Sequence, residues 1–201
     1  MEQDFSGCPC DRTVEDNHPA IINKDMWEAV QLEMERKKVF AENHGFKRVD
    51  YGTTDNPFAG KVICGDCSSA FGRKVWNYND DRFRRKVWRC NKKYAEKGKK
   101  GCNNTHIKDK VLYQIFINVF NAILENSEYF IQKWKEKKNS ENLLEKYKAK
   151  QFIEIIKDAT PITTFNANLF FKLVEKMTVY KDEKVIVTLL DGTEVECQIY
   201  K

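Results

Sequence analysis

Apolar and polar positions along this chain follow two different periods, one helical and one strand-like, separated by stretches with none. Asn23 is placed to cap a helix from Lys24 to about Lys38, with Trp27, Val30 and Met34 recurring on one face. Residues 1 to 17 have no period and read as a tail. Residues 41 to 57 collect Gly45, Gly52, Thr53, Thr54, Asp55, Asn56 and Pro57, which predicts a linker and a domain boundary near 57.

From Phe58 to about Asn104 the pattern shortens to period two. Lys61 to Ile63, Ala70 to Tyr78 and Arg82 to Cys90 read as strands, and Asn79-Asp80-Asp81 marks the turn of a hairpin that carries cysteines. Past Thr105 the period becomes helical. Val111, Ile115, Val119 and Leu124 form one stripe, with Phe116, Phe120 and Ile123 beside it. Ser127 is the expected cap of a second helix with Phe130, Ile131 and Trp134. A third helix runs from about Ser140 to Asp158 with Leu144, Tyr147, Ile155 and Ile156, and stops before Pro161. Asn168 precedes a short helix through Leu173 and Val174. Met177 to Tyr180, Lys184 to Leu190 and Thr193 to Tyr200 then read as strands, the last two joined at Asp191-Gly192, a type I′ hairpin signal. The expected class is α+β: a β-ribbon with flanking helices, a short helical insertion at about 127 to 158, and a C-terminal three-stranded meander.

Composition sharpens this picture in two places. The 201 residues, 41% of them hydrophobic, suffice for a packed core. The formal charge of +5 conceals a concentration: residues 60 to 110 hold fifteen Lys/Arg against five Asp/Glu, a local net of +10. Such a stretch is the electrostatic footprint of a polyanion binder, because each cation set on a phosphate releases condensed counterions. No run of about 18 apolar residues and no leader pattern is present, so neither a membrane span nor a secretory signal is predicted and a cytoplasmic location is expected. In that setting seven cysteines favour metal over disulfides.

Their spacing selects four. Cys64-Gly65-Asp66-Cys67 is a C-x2-C knuckle at a strand end, Cys90 closes a hairpin strand, and Cys102 follows Gly101. Four thiolates complete a tetrahedral Zn2+ site with no open position, hence a structural ion. His106 is the reserve ligand; Cys8, Cys10, Cys197, His18 and His44 receive no role. The same ligand count argues against a zinc hydrolase, which needs a place for an activated water.

Around the cysteines, Arg73, Lys74, Arg82, Arg84, Arg85, Lys86, Arg89, Lys92, Lys93, Lys99 and Lys100, with Lys97, are the expected phosphate contacts. Arg85, Val87 and Arg89 share one strand face; Arg84, Lys86 and Trp88 share the other. The interleaved Phe71, Trp76, Tyr78, Phe83 and Trp88 are expected to fill a small core.

Taken together, Asn17-His18-Pro19-Ala20-Ile21-Ile22, Trp27-Glu28-Ala29-Val30-Gln31, Asn56-Pro57-Phe58-Ala59-Gly60-Lys61-Val62-Ile63-Cys64-Gly65-Asp66-Cys67, Trp88-Arg89-Cys90 and Gly101-Cys102 resemble the C-terminal half of the large serine recombinases. The resemblance extends over Phe170 to Lys176 and the Asp191 to Glu194 hairpin. It implies that residues 1 to 57 are the end of a recombinase domain and its linker, and that residues 58 to 201 are a zinc ribbon domain. It also implies that the chain binds double-stranded attachment-site DNA. Segment 127 to 158 stands where the family carries a coiled-coil insertion, and is the candidate for self-association. Ser6, Ser68 and Ser69 lack a base or arginine cluster, so no catalytic residue is assigned and strand exchange is expected of a separate catalytic domain. The competing class is a zinc-stabilised protein-interaction module using the helices at 107 to 125 and 140 to 158.

Overall fold

The computed structural model describes residues 19–46 and 52–199. Cys8, Cys10 and His18 lie outside the described residues. Helix α1, Lys24–Asn43, starts where expected, with Asn23 accepting from the Met26 amide, and extends five residues past the predicted end. Strands β1 (Val62–Cys64), β2 (Phe71–Trp76), β3 (Arg85–Cys90) and β4 (Ile107–Lys108) follow, then α2 (Asp109–Glu125), α3 (Ser127–Lys137), α4 (Leu143–Lys157) and α5 (Ala167–Leu173). The chain closes with β5 (Val174–Val179), β6 (Lys184–Leu189) and β7 (Glu194–Gln198). The α+β expectation holds.

Two sheets form, and their composition differs from the simple hairpin-plus-meander picture. β2, β3 and β4 make an antiparallel sheet, whereas β1 leaves the ribbon and pairs in parallel with β5, giving the order β1-β5-β6-β7. The reason is burial: Val62, Ile63 and Cys64 are apolar on consecutive positions and buried on both faces, as a parallel strand covered on both sides requires.

Local corrections follow from caps and turns. Ser127 is the first residue of α3, not its cap, and α4 is capped by Asn142, whose side chain accepts from the Leu144 and Glu145 amides. Asn166, in place of Asn168, caps α5. At Asp191-Gly192 only Gly192 has positive φ (83°); the Gly192 amide donates to Leu189 O and the Leu189 amide to Thr193 O. The connection is therefore a type I turn closed by a glycine bulge, in place of type I′.

The core is continuous from the ribbon to the C-terminal sheet. Leu112, Ile115, Phe116, Val119, Phe120 and Ile123 of α2 are buried, as are Phe152, Ile153 and Ile156 of α4. The α2 stripe offered as a partner surface is thus largely interior packing, whereas on α4 Ile156 is buried and Leu144, Tyr147 and Ile155 are half-buried. Trp134 of α3 is fully buried and donates Nε1–H to Asp191 Oδ2 at 3.0 Å, tying the insertion to the meander turn. Phe58 sits among Trp88, Tyr113, Phe165 and Phe170, and the chain enters the core at Pro57 and Phe58.

Helix α1 reverses its expected orientation. Trp27, Val30 and Met34 face outward, Met34 being 60% exposed, while Ala29 and Ala41 are buried. The side carrying Glu33 and Arg36 is held by ions: Lys148 of α4 reaches Glu33 at 3.1 Å, and Arg36 binds both Glu33 and Glu175 of β5. Charge pairing across the α1–α4 contact outweighs the apolar stripe here.

Candidate metal centre and nucleic-acid interface

The four predicted cysteines converge. Cys64 ends β1, Cys67 lies on the knuckle, Cys90 ends β3, and Cys102 lies in the loop before β4. The Cys64 and Cys102 sulfurs are 3.5 Å apart, those of Cys67 and Cys90 3.4 Å, and all lie within 4.8 Å of one another. A tetrahedral ion with metal–sulfur bonds of about 2.3 Å needs sulfurs separated by somewhat under 4 Å, so the donor set and its spacing fit Zn2+. Because two ligands come from the β1 side and one from the ribbon sheet, an ion here would clamp the two sheets together.

The backbone builds this site. The Cys64 amide donates to Ser69 O, Ser68 N–H returns to Cys64 O, and Ser68 takes a positive φ of 57°. Gly65 has to be glycine for a different reason, since a Cβ there would stand 2.4 Å from the Tyr180 ring. On the opposite side, Gly101 and Cys102 donate to Lys93 O and Lys92 O, and a Cβ on Gly101 would meet Lys92 O at 1.9 Å. Cys197 lies on β7, apart from the set. His106 is not among the ligands; its ring packs on Trp76 with centroids 4.4 Å apart.

Strand register sorts the basic residues into distinct environments. On one face of the ribbon sheet, Lys74, Trp76, Arg85, Val87, Arg89 and Lys108 lie side by side, with His106 next to them. Val87 is wholly buried, with Lys74 and Lys108 as its register partners on the two neighbouring strands. Arg85 lies over Trp76 at 5.1 Å and Arg89 over Tyr94 at 4.6 Å, which orients both guanidinium groups. His106 is held below its ordinary pKa, first by partial burial and then by Lys93, Arg85 and Lys108.

The other predicted contacts are placed differently. Arg73 points inward, donating to Asp109 Oδ2 at 3.0 Å and to Asp55 O at 2.7 Å, and is a structural residue. Arg82 pairs with Asp80 and Arg84 with Asp81 at the exposed hairpin tip. Lys86 is exposed on the opposite face and borders a groove of about 800 Å³ with Val75, Arg84, Lys108 and Lys110. Lys92 and Lys93 occupy a short 3₁₀ turn, where Lys93 Nζ donates to Asn104 O. Lys99 pairs with Glu96, and Lys100 lines a shallow pocket with Tyr94 and Lys181. Of the aromatics, Phe71 and Trp88 are core as expected, whereas Tyr78 and Phe83 are 68% and 62% exposed at the tip.

Sequence reasoning missed Lys108, Lys181 and the Trp76–His106 pair. The alternation His106, Ile107, Lys108 signals a strand, though one of two residues is too short to recognise by period. Nothing near Lys181 in the chain points to the ribbon.

Residues 57–121 match the family described as "Recombinase zinc beta ribbon domain". That segment holds the four cysteines, β1 to β4 and most of α2. A solved structure described as "Sequence Requirements of the Listeria innocua prophage attP site" resembles 88% of this chain at 14% identity, with a TM-score of 0.44. This chain spans 58% of that one. No curated protein matches the chain by sequence. Among the described residues, no helix is long and apolar enough to cross a membrane.

Proposed function

We propose that this chain is the DNA-binding portion of a site-specific serine recombinase and recognises attachment-site duplex through its zinc-clamped ribbon. The observation that carries this is the cationic face of Lys74, Arg85, Arg89 and Lys108 on a sheet that belongs to a recombinase zinc ribbon segment. Cations at fixed strand spacing, two of them seated on aromatic rings, suit a run of phosphates better than a solvated surface does. Residues 58–201 are read as the zinc ribbon domain and residues 1–57 as the end of a recombinase domain. Strand exchange is the work of a separate catalytic domain. Zinc, held by Cys64, Cys67, Cys90 and Cys102, supplies no chemistry to the DNA: it fixes the ribbon against the β1 sheet.

The protein-interaction alternative loses its α2 surface, because that helix's apolar side is buried within the chain, and on α4 it keeps only the half-buried Leu144, Tyr147 and Ile155. Segment 127–158 retains Tyr129, 65% exposed, among polar residues as material for self-association. The deciding experiment is a titration with duplex carrying the parent element's attachment half-site, against a scrambled duplex of equal length, at two salt concentrations. Selective and salt-sensitive binding is expected. Equal affinity for both duplexes at both salts would overturn the reading.

A further inference from the structure

Asn104 is completely buried, yet it belongs neither to the cysteine set nor to the cationic face. Its Nδ2 group donates to Cys64 Sγ at 3.2 Å and to Val179 O at 2.7 Å, while its Oδ1 is buried with no hydrogen-bond partner. A buried orphan acceptor is costly, so an apolar side chain would serve better here unless the two N–H bonds matter. One of those bonds needs Cys64 to be an acceptor. A neutral thiol accepts weakly and carries its own proton, whereas a metal-bound thiolate offers lone pairs to a donor.

The second bond shows what the first is coupled to. Val179 O, at the end of β5, accepts both from Asn104 and from the Gly65 amide of the knuckle at 2.8 Å. One amide group therefore spans a metal-ligand sulfur and the strand that pairs with β1. Lys93, from the 3₁₀ turn after Cys90, donates to the Asn104 carbonyl and fixes the residue's backbone.

We infer that Asn104 is a positioning residue for the metal: its N–H···S bond orients the Cys64 thiolate, draws off part of its charge, and links metal loading to closure of β5 on the knuckle. This rests on the four-cysteine site holding a metal.

The test uses the whole chain, isotope-labelled with 15N and loaded with 113Cd. A scalar coupling between the metal and an Asn104 side-chain amide proton is expected, and it is read on unmutated protein. In the cobalt-loaded chain, Asn104→Asp should move the sulfur-to-metal charge-transfer band to lower energy and raise metal release to a chelator about 10-fold. The exposed neighbour variant Asn103→Asp should leave both unchanged. A loaded, folded wild-type chain without the coupling, or an Asn104→Asp chain with unaltered band and release rate, overturns the inference while leaving the metal site standing. A wild-type chain that takes up no stoichiometric metal overturns both.

Discussion

Arg73 donates to Asp109 Oδ2 at 3.0 Å, and Trp88 Nε1 donates to the other oxygen of the same carboxylate, so β2, β3 and the start of α2 meet on one buried charge. Removing one member of such a pair leaves the other uncompensated, at a cost of about 3 kcal/mol or more. Arg73→Ala is expected to lower unfolding free energy by about that amount in a urea titration. Its DNA salt slope should stay at the wild-type value, because its guanidinium is already engaged. A lost salt slope with unchanged stability would reverse this assignment.

The exposed face behaves in the opposite way. Lys74→Ala, Arg85→Ala and Arg89→Ala should each reduce the slope of log affinity against log salt by about 1, with stability nearly unchanged. Lys157→Ala, at the exposed end of α4, should alter neither quantity. Fluorescence titrations at four salt concentrations would separate the two groups.

His106 reports on this face directly. Burial and then the cations Lys93, Arg85 and Lys108 hold its pKa below the ordinary histidine value. Phosphates that neutralise those cations favour the imidazolium, so duplex binding should raise the His106 pKa and take up protons. Affinity should therefore increase as pH falls through the histidine range, and His106→Gln should flatten that dependence. NMR titration of the His106 ring with and without duplex is the check.

Metal removal should undo the ribbon first. Binding of a structural zinc is of the order of 10 kcal/mol, as large as the net stability of a typical domain. Chelation, or Cys90→Ser, should abolish duplex binding and the β-sheet signal of the ribbon. Much of the helical signal should survive, because α3 and α4 pack on each other and α2 rests on β7 as well as on the ribbon. Circular dichroism with zinc quantitation distinguishes this from global unfolding.

The α1 contact carries a signature in acid. Burial would raise the Glu33 carboxyl, but Arg36 and Lys148 bring it from the ordinary value of 4.5 down to about 2. A depressed carboxyl contributes stability that is complete above its unfolded pKa and is lost as pH falls through the folded one. Docking of α1 should weaken between about pH 4.5 and 2, and Glu33→Gln should remove that dependence. Backbone amide shifts of α1 and α4, followed by NMR against pH in both chains, measure it.

What the sequence determined by itself was local. A cap acts over three residues, a hairpin turn over four and a helical stripe over three or four at a time; hence the recognition of Asn23, the 191–192 turn and the stripe of α2 from composition and period. Cysteine spacing and the run of cations also survive in one dimension, because thiolates and like charges need no partner to be noticed. The tertiary structure decided everything that depends on which surfaces meet. It took β1 out of the ribbon to pair with a strand more than a hundred residues later, and it turned the apolar stripe of α1 to solvent because ions hold the other side. It also withdrew Arg73 from the surface to neutralise Asp109 and brought Asn104 to the Cys64 sulfur. Each of these contacts joins residues far apart in the chain, and the free energy of such a contact depends on burial and geometry that a residue acquires only when its distant partner arrives.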